Sequence, residues 1–199
     1  MHALLASIFA PDQSGQRADD ARIELADGRV VQLAAVHPQD AGAERDFVGA
    51  LSLTSRYRRF HFGLRELSAE QSRAMTEIDQ HHHVAFVARP AEGAPIVADA
   101  RYVRRADSAD AEFAITVADA WQGAGLGRAL LLHLAEHARA HGVRRLFGDV
   151  LWGNAAMIAL ARQLGAKLSR LPGDATVVRA EISVEDALIP AAAAPAPPA

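Results

Sequence analysis

The sequence predicts a mixed α+β domain, with one mostly antiparallel twisted sheet flanked by helices. Two short runs of alternating apolar and polar residues flank Asp27-Gly28, a pattern typical of a β-hairpin. Three strand-like runs follow at 83–89, 95–103 and 111–118, and beyond them helical and strand-like segments alternate. Strands in succession followed by alternating elements are expected to share one sheet, with the helices packed on its faces.

Local start signals predict the helices that precede these strands. Pro38 suits a first helical turn and Asp40 is a candidate cap, so a helix is predicted after the hairpin. Ser68, with Gln71 three residues later, forms a capping-box pattern that predicts a helix as far as about Asp79.

The second half of the chain is predicted to alternate helices and strands. A glycine-rich stretch opens a leucine-rich helix that runs to His141. After it the predicted elements are a strand at 144–151, a helix at 155–164, and two strands containing "KLSR" and "ATVVRAEIS".

Composition and charge narrow the function classes. The chain has 199 residues, half of them apolar, and a formal net charge of −3, so neither nucleic acid nor a membrane is an expected partner. It has no cysteine, which excludes disulfides, zinc–thiolate sites and a cysteine nucleophile and fits a reducing compartment. No run approaches the roughly 20 apolar residues that span a bilayer. A cytoplasmic location is therefore expected.

Three parts are predicted along the chain. Residues 1–20 contain a short apolar run with no preceding lysine or arginine and are interpreted as a flexible N-terminal arm, with an export signal as the alternative. Residues 21–188 are the predicted folded domain. Residues 189–199 are a low-complexity stretch of proline and alanine, which predicts a disordered tail.

The segment "WQGAGLGRALLLHL" (121–134) places three glycines within five positions before a helix. Glycine is a poor helix former, so these glycines indicate a close approach to the backbone. The first N–H groups of a helix lack internal partners and carry partial positive charge, which makes them an anion site. Gly123, Gly125 and Gly127 would let several N–H groups face one phosphate. Arg128 would add a charge, and the expected ligand is a phosphate or pyrophosphate.

Three phosphate-binding patterns compete for this segment. A P-loop is disfavoured because Gly127 is followed by Arg128 instead of lysine. A dinucleotide fingerprint that starts at Gly123 would need its last glycine where Arg128 stands. A Q-x-x-G-x-G pattern is satisfied by Gln122, Gly125 and Gly127. A glycine-containing loop without a ligand is the alternative.

The stretch from "AEFAITVADAWQGAGLGR" to "GNAAMIALARQLGA" resembles the core of the GNAT superfamily of acyl-CoA-dependent N-acetyltransferases, and the resemblance covers roughly residues 29–182. It implies the GNAT fold with splayed strands at the acyl-CoA site, and acetyl-CoA as co-substrate without a metal. "SLTSRYRRF", "LRELS" and "WQGAGLGR" further resemble the GNAT domain of bacterial protein-lysine acetyltransferases.

The resemblance also implies which residues meet the cofactor. The Q-x-x-G-x-G loop would cradle the pyrophosphate, and the strand before it would present Ile115 and Val117 to the pantetheine arm. Asn154 is expected to cap the following helix. The residues expected at the cofactor are Ile115, Val117, Gln122, Gly123, Ala124, Gly125, Leu126, Gly127, Arg128 and Asn154.

A base is required if the acceptor is an ammonium group, since a free lysine has a pKa near 10.4. By resemblance Glu112 is the expected base, acting directly or through a water, although an exposed glutamate at a strand start is the simpler interpretation. Asp119 is the second candidate. Many family members place a tyrosine seven residues after the asparagine, where this chain has Ala161. The thiol would then leave as thiolate, or take its proton from water or from the base.

Two further groups of side chains are candidates for the site. The spacing of His133, His137 and His141 is compatible with metal ligands on a helix, but His137 falls on the stripe predicted to face the sheet, which favours core histidines. The segment 52–68 is predicted to form a short helix or loop over the acceptor groove, with Arg56 and Arg58 facing an acidic protein or the cofactor phosphates. Its Tyr57 and Phe60 are expected to pack beneath it.

The sequence therefore predicts an acetyl-CoA-dependent N-acetyltransferase that acts on the ε-amino group of protein lysine, as a monomer or homodimer. Two alternatives stay open. One is acetylation of a small amine such as a polyamine, an amino sugar or an antibiotic. The other is a non-catalytic acyl-CoA sensor, which the absence of the tyrosine favours.

Overall fold

A single eight-stranded sheet runs through the protein. The structure, a computed structural model, describes residues 20–105 and 108–188. The strands are β1 (Ala21–Glu24), β2 (Val30–Ala35), β3 (His83–Arg89), β4 (Ala98–Arg104), β5 (Asp110–Val117), β6 (Arg145–Leu151), β7 (Lys167–Leu171) and β8 (Asp174–Ser183). Their order is β1-β2-β3-β4-β5-β6-β8-β7, and every neighbouring pair is antiparallel except β5 and β6.

The described ranges contain six α-helices. They are α1 (Ala41–Ala50), α2 (Leu53–Phe60), α3 (Ala69–Thr76), α4 (Leu126–Ala140), α5 (Ala155–Gln163) and α6 (Val184–Leu188). The sequence predicts four of them, leaves α2 as a short helix or a loop, and does not predict α6. The predicted hairpin, strands and helices are found with small shifts of their ends. The predicted tail and residues 1–19 of the predicted arm lie outside the described residues. No helix in 20–105 or 108–188 is long and apolar enough to cross a membrane.

Two local predictions need correction. Asp40 occupies the N-cap position of α1 but does not cap it, because its carboxylate accepts the N–H of His37 and binds Arg89 at 2.7 Å. Helix α3 begins with the predicted capping box but ends at Thr76. It does not reach Asp79, because that carboxylate accepts three backbone N–H groups of the next turn, those of residues 81–83.

The helices cover both faces of the sheet. Leu126, Leu130 and Leu134 of α4 are at most 1% exposed and join the larger apolar core on one face. On the other face, Phe47 and Val48 of α1 pack with apolar residues of β3. Leucines four residues apart form one stripe of a helix, which is why α4 lies flat on the sheet.

Candidate active site

The site begins where β5 and β6 separate. Their parallel pairing extends over three residue pairs, from Asp110–Arg145 to Glu112–Phe147, although both strands continue beyond them. A cavity of about 390 Å³ occupies the gap, with residues 113–117 on one wall and residues 148–150 on the other. This cavity, here called the slot, is open to both faces of the sheet, because residues of α2, α4 and α5 all line it.

Backbone groups that pair with no neighbouring strand line the slot on the β5 side. The N–H of Ala118 donates to Val97 at the β4 edge, at 2.8 Å. Peptide groups of successive residues in a strand point to opposite edges. Those of Ile115 and Val117 therefore face the slot, and the Val117 carbonyl accepts a bond from the Gln122 side chain at 3.0 Å. Ile115 and Val117 thus stand where the sequence places them, beside a gap that offers amide donors and acceptors.

The glycine loop closes one end of the slot. Gly123 and Gly125 have φ values of 79° and 91°, in the region that favours glycine. Gly125 is the N-cap of α4 and makes no side-chain cap bond. The N–H groups at the N-terminus of this fifteen-residue helix are therefore suited to bind an anion.

The ten predicted cofactor residues divide into two groups. Eight line the slot, namely Ile115, Val117, Gln122, Gly123, Gly125, Gly127, Arg128 and Asn154. Ala124 and Leu126 are 8% and 1% exposed and pack in the core, so their side chains do not line it. These two residues are able to contribute only their backbone.

Gly127 differs from the other two glycines of the loop because its backbone is ordinary helix. A Cβ added to it would lie 3.5 Å from Leu160 and 3.8 Å from Ile115, which are normal contacts. Glycine inside a helix costs about 1 kcal/mol relative to alanine. Neither conformation nor packing requires glycine here, and the space that its missing side chain leaves belongs to the slot.

The β1–β2 hairpin supports the loop from one side. The Arg29 side chain donates to the carbonyl of Ala120 at 3.0 Å and lies 4.3 Å from the centroid of the Trp121 ring. Asp27 holds the same guanidinium at 2.7 Å. Arg29 therefore fixes the segment immediately before the glycines.

Helix α2 supports the loop from the other side through Asp119. The Asp119 carboxylate accepts the N–H and hydroxyl of Ser52 and the hydroxyl of Ser55, at 2.7 to 2.9 Å. Partial burial opposes ionisation, but these donors outweigh it and lower the pKa of Asp119. Gln122 donates to Ser55 at 3.2 Å. With its lone pairs engaged in this way, Asp119 serves the loop and is a poor candidate for the base.

Glu112 belongs to the last residue pair before the slot. Its side chain is exposed and is not among the slot-lining residues. It alternates with Phe113, so it projects on the face that carries α2. The charge of Glu112 acts on Arg59 of α2 and on Arg179 of β8. The predicted base therefore stands beside the mouth of the slot on the α2 face.

Asn154 and Ala161 sit on α5 as the sequence suggests. The Asn154 side chain accepts the N–H of Met157 at 3.3 Å, which makes it an N-cap, and it also lines the slot. Ala161 is fully buried with Val150 and Ile158. This position therefore offers no tyrosine hydroxyl, and its side chain packs in the apolar core instead.

Of the two arginines of α2 expected at the site, Arg56 has a different role. Arg56 donates to the carbonyls of Gly49 and Arg65, each at 2.8 Å, so it ties the ends of neighbouring segments together and does not face an acceptor. Arg58 and Arg59 line the slot. Phe60 packs, as expected, against the apolar cluster that α1 forms with β3. Tyr57 is 50% exposed and does not pack beneath the helix.

A second groove continues from the slot on the α2 side. It has a volume of about 690 Å³ and shares Arg58 and Asn154 with the slot. Leu53, Tyr57 and Trp152 line it and are 50% to 74% exposed. Exposed aromatic residues around an open groove are typical of a surface that meets another molecule.

A buried charge cluster lies on the same face of the sheet as α2. The Arg101 guanidinium binds both oxygens of Asp99 and lies 3.4 Å from Glu44 and 3.3 Å from the ring of His83. Glu44 is fully buried. Burial, with the charge of Asp99 adding to it, raises the pKa of Glu44 from 4.5 to about 8. At neutral pH the cluster therefore holds a protonated glutamate.

His133 and His137 pack at the edge of the core against Phe86, as expected, whereas His141 is exposed. His137 lies 3.0 Å from the Tyr102 hydroxyl and stacks on His141, and its ring also contacts Phe86. Among the described residues no group of three or more His, Cys, Asp or Glu side chains is arranged to hold a metal ion.

Sequence reasoning missed several residues of the site. Ser55, Arg59, Gly148 and Asp149 line the slot but were not among the predicted site residues. The helical periodicity of α2 could have pointed to two of them, because Ser55 and Arg59 are four residues apart and therefore lie on the same face of the helix. Gly148 lies where β5 and β6 separate, and a side chain is disfavoured there because its Cβ would lie 3.0 Å from the Phe113 ring.

Known proteins resemble the chain both in sequence and in structure. The model of the acetyltransferase (GNAT) family matches residues 50–166. The acetyltransferase PA5475 of Pseudomonas aeruginosa is 34% identical over 156 residues, covering 77% of this chain and 84% of that protein. The GNAT domain of S. lividans PAT has a TM-score of 0.77 and 31% identity, covering 84% of this chain and 99% of that domain.

A longer relative shares the same region. The acetyltransferase Pat of Mycolicibacterium smegmatis is 34% identical over 165 residues. The match covers 81% of this chain and 48% of Pat, so the chain spans about half the length of that relative. The rest of Pat has no counterpart in the match.

A substitution at Gly127 of α4 tests whether the slot binds acetyl-CoA, the acyl donor of the matched family. Gly127→Asp should preserve folding, because an acidic residue suits the first turn of a helix. It should lower the affinity for acetyl-CoA at least about a hundredfold, since the added carboxylate meets the phosphates. Calorimetric titration of the folded variant measures this.

The matched control is Gly42→Asp, at the second residue of α1, where the glycine is exposed and a side chain would meet nothing within 4 Å. It should leave the affinity unchanged. Equal affinity in the two variants would contradict the placement of the phosphates at the glycine loop.

The raised pKa of Glu44 predicts how stability depends on pH. The folded protein binds this proton more tightly than the unfolded chain, so the stabilisation is complete below pH 4.5 and is lost as the pH rises towards 8. The free energy of unfolding should fall over this interval by at most about 1.4 kcal/mol per pH unit from this group. Glu44→Gln should remove much of that fall. Urea unfolding at a series of pH values measures it.

Exposed Glu92 in the loop after β3 supplies the control. Glu92→Gln should keep the pH dependence of the parent protein. If Glu44→Gln also keeps the pH dependence of the parent protein, a group other than Glu44 is responsible for that dependence.

Proposed function

The chain belongs to the acetyltransferase (GNAT) family, and from this premise we propose that it transfers the acetyl group of acetyl-CoA to the ε-amino group of a protein lysine. The observation that carries the proposal is the slot between β5 and β6, with the glycine loop at its end and, along its wall, backbone groups of β5 that pair with no neighbouring strand. A ligand with phosphates at one end and amides along its length matches this order of groups.

Different residues of the chain bind different parts of acetyl-CoA. The N–H groups of the glycine loop and the N-terminus of α4 bind the pyrophosphate. The peptide groups of Ile115 and Val117 bond the amides of the pantetheine arm and hold it straight. Bound acetyl-CoA supplies a thioester whose acyl carbon accepts the amine. Holding the two reactants in one geometry lowers the barrier by removing the entropic cost of their encounter.

Glu112 is proposed to handle the proton. An amine attacks only when neutral, so Glu112 accepts a proton from the ammonium group, directly or through a water. The N–C bond then forms, the attacking nitrogen loses its second proton to solvent, the C–S bond breaks, and coenzyme A leaves as a thiolate. With Ala161 in the apolar core, the thiolate takes its proton from solvent or from protonated Glu112.

The second groove supports a protein as the acceptor. It is open, joins the slot at Arg58 and displays Tyr57 and Trp152 to solvent. A small amine is better served by an enclosed pocket. The likeness of residues 52–60 and 64–68 to bacterial protein-lysine acetyltransferases points in the same direction.

A non-catalytic acyl-CoA-binding protein is the second candidate function. The observation that favours it is Ala161, which leaves α5 without a general acid. The two functions differ in turnover, which a direct assay decides.

The experiment is a thiol-release assay with acetyl-CoA and a panel of folded proteins, lysine peptides and small amines. We expect turnover with a protein acceptor, and a loss of about 10²- to 10⁴-fold in Glu112→Gln with acetyl-CoA affinity retained. Glu24→Gln, an exposed strand glutamate on β1, is the matched control and should match the parent protein. Binding without turnover on the whole panel would favour the non-catalytic function, and turnover on small amines alone would reject protein lysine.

Arg58 tests the acceptor groove. Rim charges act mainly on the rate of encounter and on its salt dependence. Arg58→Glu should therefore slow acetylation of an acidic folded protein by about tenfold at low salt, with a smaller effect at high salt. Acetylation of a free small amine should change little.

Arg45→Glu on α1 is the control, since Arg45 is an exposed helical arginine outside both cavities. A matching loss on proteins and small amines would assign Arg58 to the donor side of the site.

A further inference from the structure

Asp149 of β6 is the only carboxylate that lines the slot or the second groove among the residues that the structure describes. The slot is otherwise lined by positive charges, those of Arg58, Arg59 and Arg128. These guanidinium groups suit an anionic acyl donor but repel a cation. A lysine side chain is an ammonium at neutral pH, since its pKa is near 10.4. Asp149 is therefore the one lining residue whose charge attracts such an acceptor.

Asp149 lies where the slot meets the second groove. Val150 packs with Ile158 of α5, so the neighbours of Val150 in β6 project from the opposite face, which carries α2. Leu151 shares this face with Asp149 and lines the second groove. An acceptor side chain that passes along the groove therefore reaches Asp149 as it enters the slot.

Asp149 also lies on the same face of the sheet as the proposed base. Glu112 pairs with Phe147, two residues before Asp149 in β6. The parallel register, continued by two residues, places Asp149 opposite Ala114, which lines the other wall of the slot. An amine bound at Asp149 is therefore held between the two walls, on the face that carries Glu112.

Arg179 of β8 fixes the orientation of the Asp149 carboxylate. Its Nε and Nη2 atoms donate to the two oxygens, each at 2.8 Å, and its guanidinium lies 5.0 Å from the centroid of the Phe147 ring. Such a bidentate pair holds the plane of the carboxylate. A carboxylate offers about four lone-pair sites and Arg179 uses two, so both oxygens keep room for another donor. The Asp149 side chain is 28% exposed, which leaves it open to a donor from the acceptor.

We propose that Asp149 selects a cationic acceptor, by accepting hydrogen bonds from the ammonium group of the lysine as it enters the slot, with Arg179 as its positioning residue. This proposal rests on the proposed function, in which a lysine is the acceptor. The ammonium then gives one proton to Glu112, and the neutral nitrogen leaves Asp149 to attack the thioester. Because Asp149 binds the ammonium and not the neutral amine that reacts, it lowers KM without raising kcat.

The first test measures binding and does not require turnover. NMR titration of the protein saturated with coenzyme A compares N-acetyl-lysine methylamide with its norleucine counterpart, which lacks the ammonium group. The parent protein should bind the lysine derivative at least about tenfold more tightly, as expected for a hydrogen bond between charged groups. Asp149→Asn should lose most of this preference and keep its affinity for the norleucine derivative.

The matched control is Asp110→Asn. Asp110 forms the same kind of pair with Arg145, at 3.1 and 2.6 Å, but lines neither cavity. This variant should keep the preference of the parent protein. If Asp149→Asn fails to fold because Arg179 has lost its partner, the double variant Asp149→Asn with Arg179→Gln replaces it, since that variant leaves no unpaired charge.

The second test compares two acceptors that differ in charge, a lysine peptide and the same peptide with an aminooxy group in place of the lysine amine. The aminooxy group is neutral at neutral pH. With the lysine peptide, Asp149→Asn should raise KM at least about tenfold and change kcat by less than about twofold, because binding of the ammonium alone is lost. With the aminooxy peptide both parameters should stay close to those of the parent protein.

The outcomes separate this proposal from the proposed function. A parent protein without a preference for the lysine derivative, or a preference that Asp149→Asn retains, overturns the role of Asp149 whatever the enzyme acylates. Loss of the preference in a protein that acetylates nothing supports the cation site while rejecting the proposed function. Equal losses with the lysine and aminooxy peptides, or a loss confined to kcat, would also overturn the proposal.

Discussion

The separation of β5 from β6 is the constraint on which the site depends. Beyond Glu112 and Phe147 each strand keeps its partner on the outer edge, β4 for β5 and β8 for β6. The two strands are therefore held rigidly while the inner edges face an open gap. Unsatisfied peptide groups carry a free-energy cost inside a protein. A ligand with its own amide groups is suited to remove that cost, which supports the gap as the proposed site of acetyl-CoA.

The glycine loop depends on contacts from distant parts of the chain. Arg29 reaches it from ninety-one residues before Ala120, and Ser52 binds Asp119 across sixty-seven residues. The hairpin holds the segment before the glycines and α2 holds the turn at Asp119. Positive φ values at Gly123 and Gly125 are thus imposed on a segment that is already fixed at its entrance. Such a preorganised loop spends less binding free energy on ordering itself around a phosphate.

Much of the fold follows from local patterns in the sequence, and much of the site does not. The hairpin at Asp27-Gly28, the capping box at Ser68 and the helix after the glycines are determined by neighbouring residues, so they were predictable. The end of α3 depends on an Asp79 side chain that binds the next turn. A local pattern does not separate this role from that of any other surface aspartate.

The roles of the α2 arginines were unpredictable for a related reason. The sequence alone does not distinguish the roles of Arg56, Arg58 and Arg59. Successive residues of a helix are rotated by about 100° around its axis, so these side chains face different directions. Arg56 meets backbone carbonyls and the other two meet the slot. The phase of an eight-residue helix is set by what it packs against. Glu44 shows the same limit, because only the fold brings that glutamate beside Arg101 in a dry interior.

Helix α2 links the glycine loop to the wall of the slot. Its N-terminal serines bind Asp119 beside the glycine loop, and one turn after Ser55 the Arg59 side chain lines the slot. A helix rises about 6 Å over four residues, so a single rigid turn separates these two positions. The position of the loop and the position of the Arg59 charge are therefore not independent. A shift of the loop moves Ser52 and Ser55, and through them it moves a guanidinium that lines the slot.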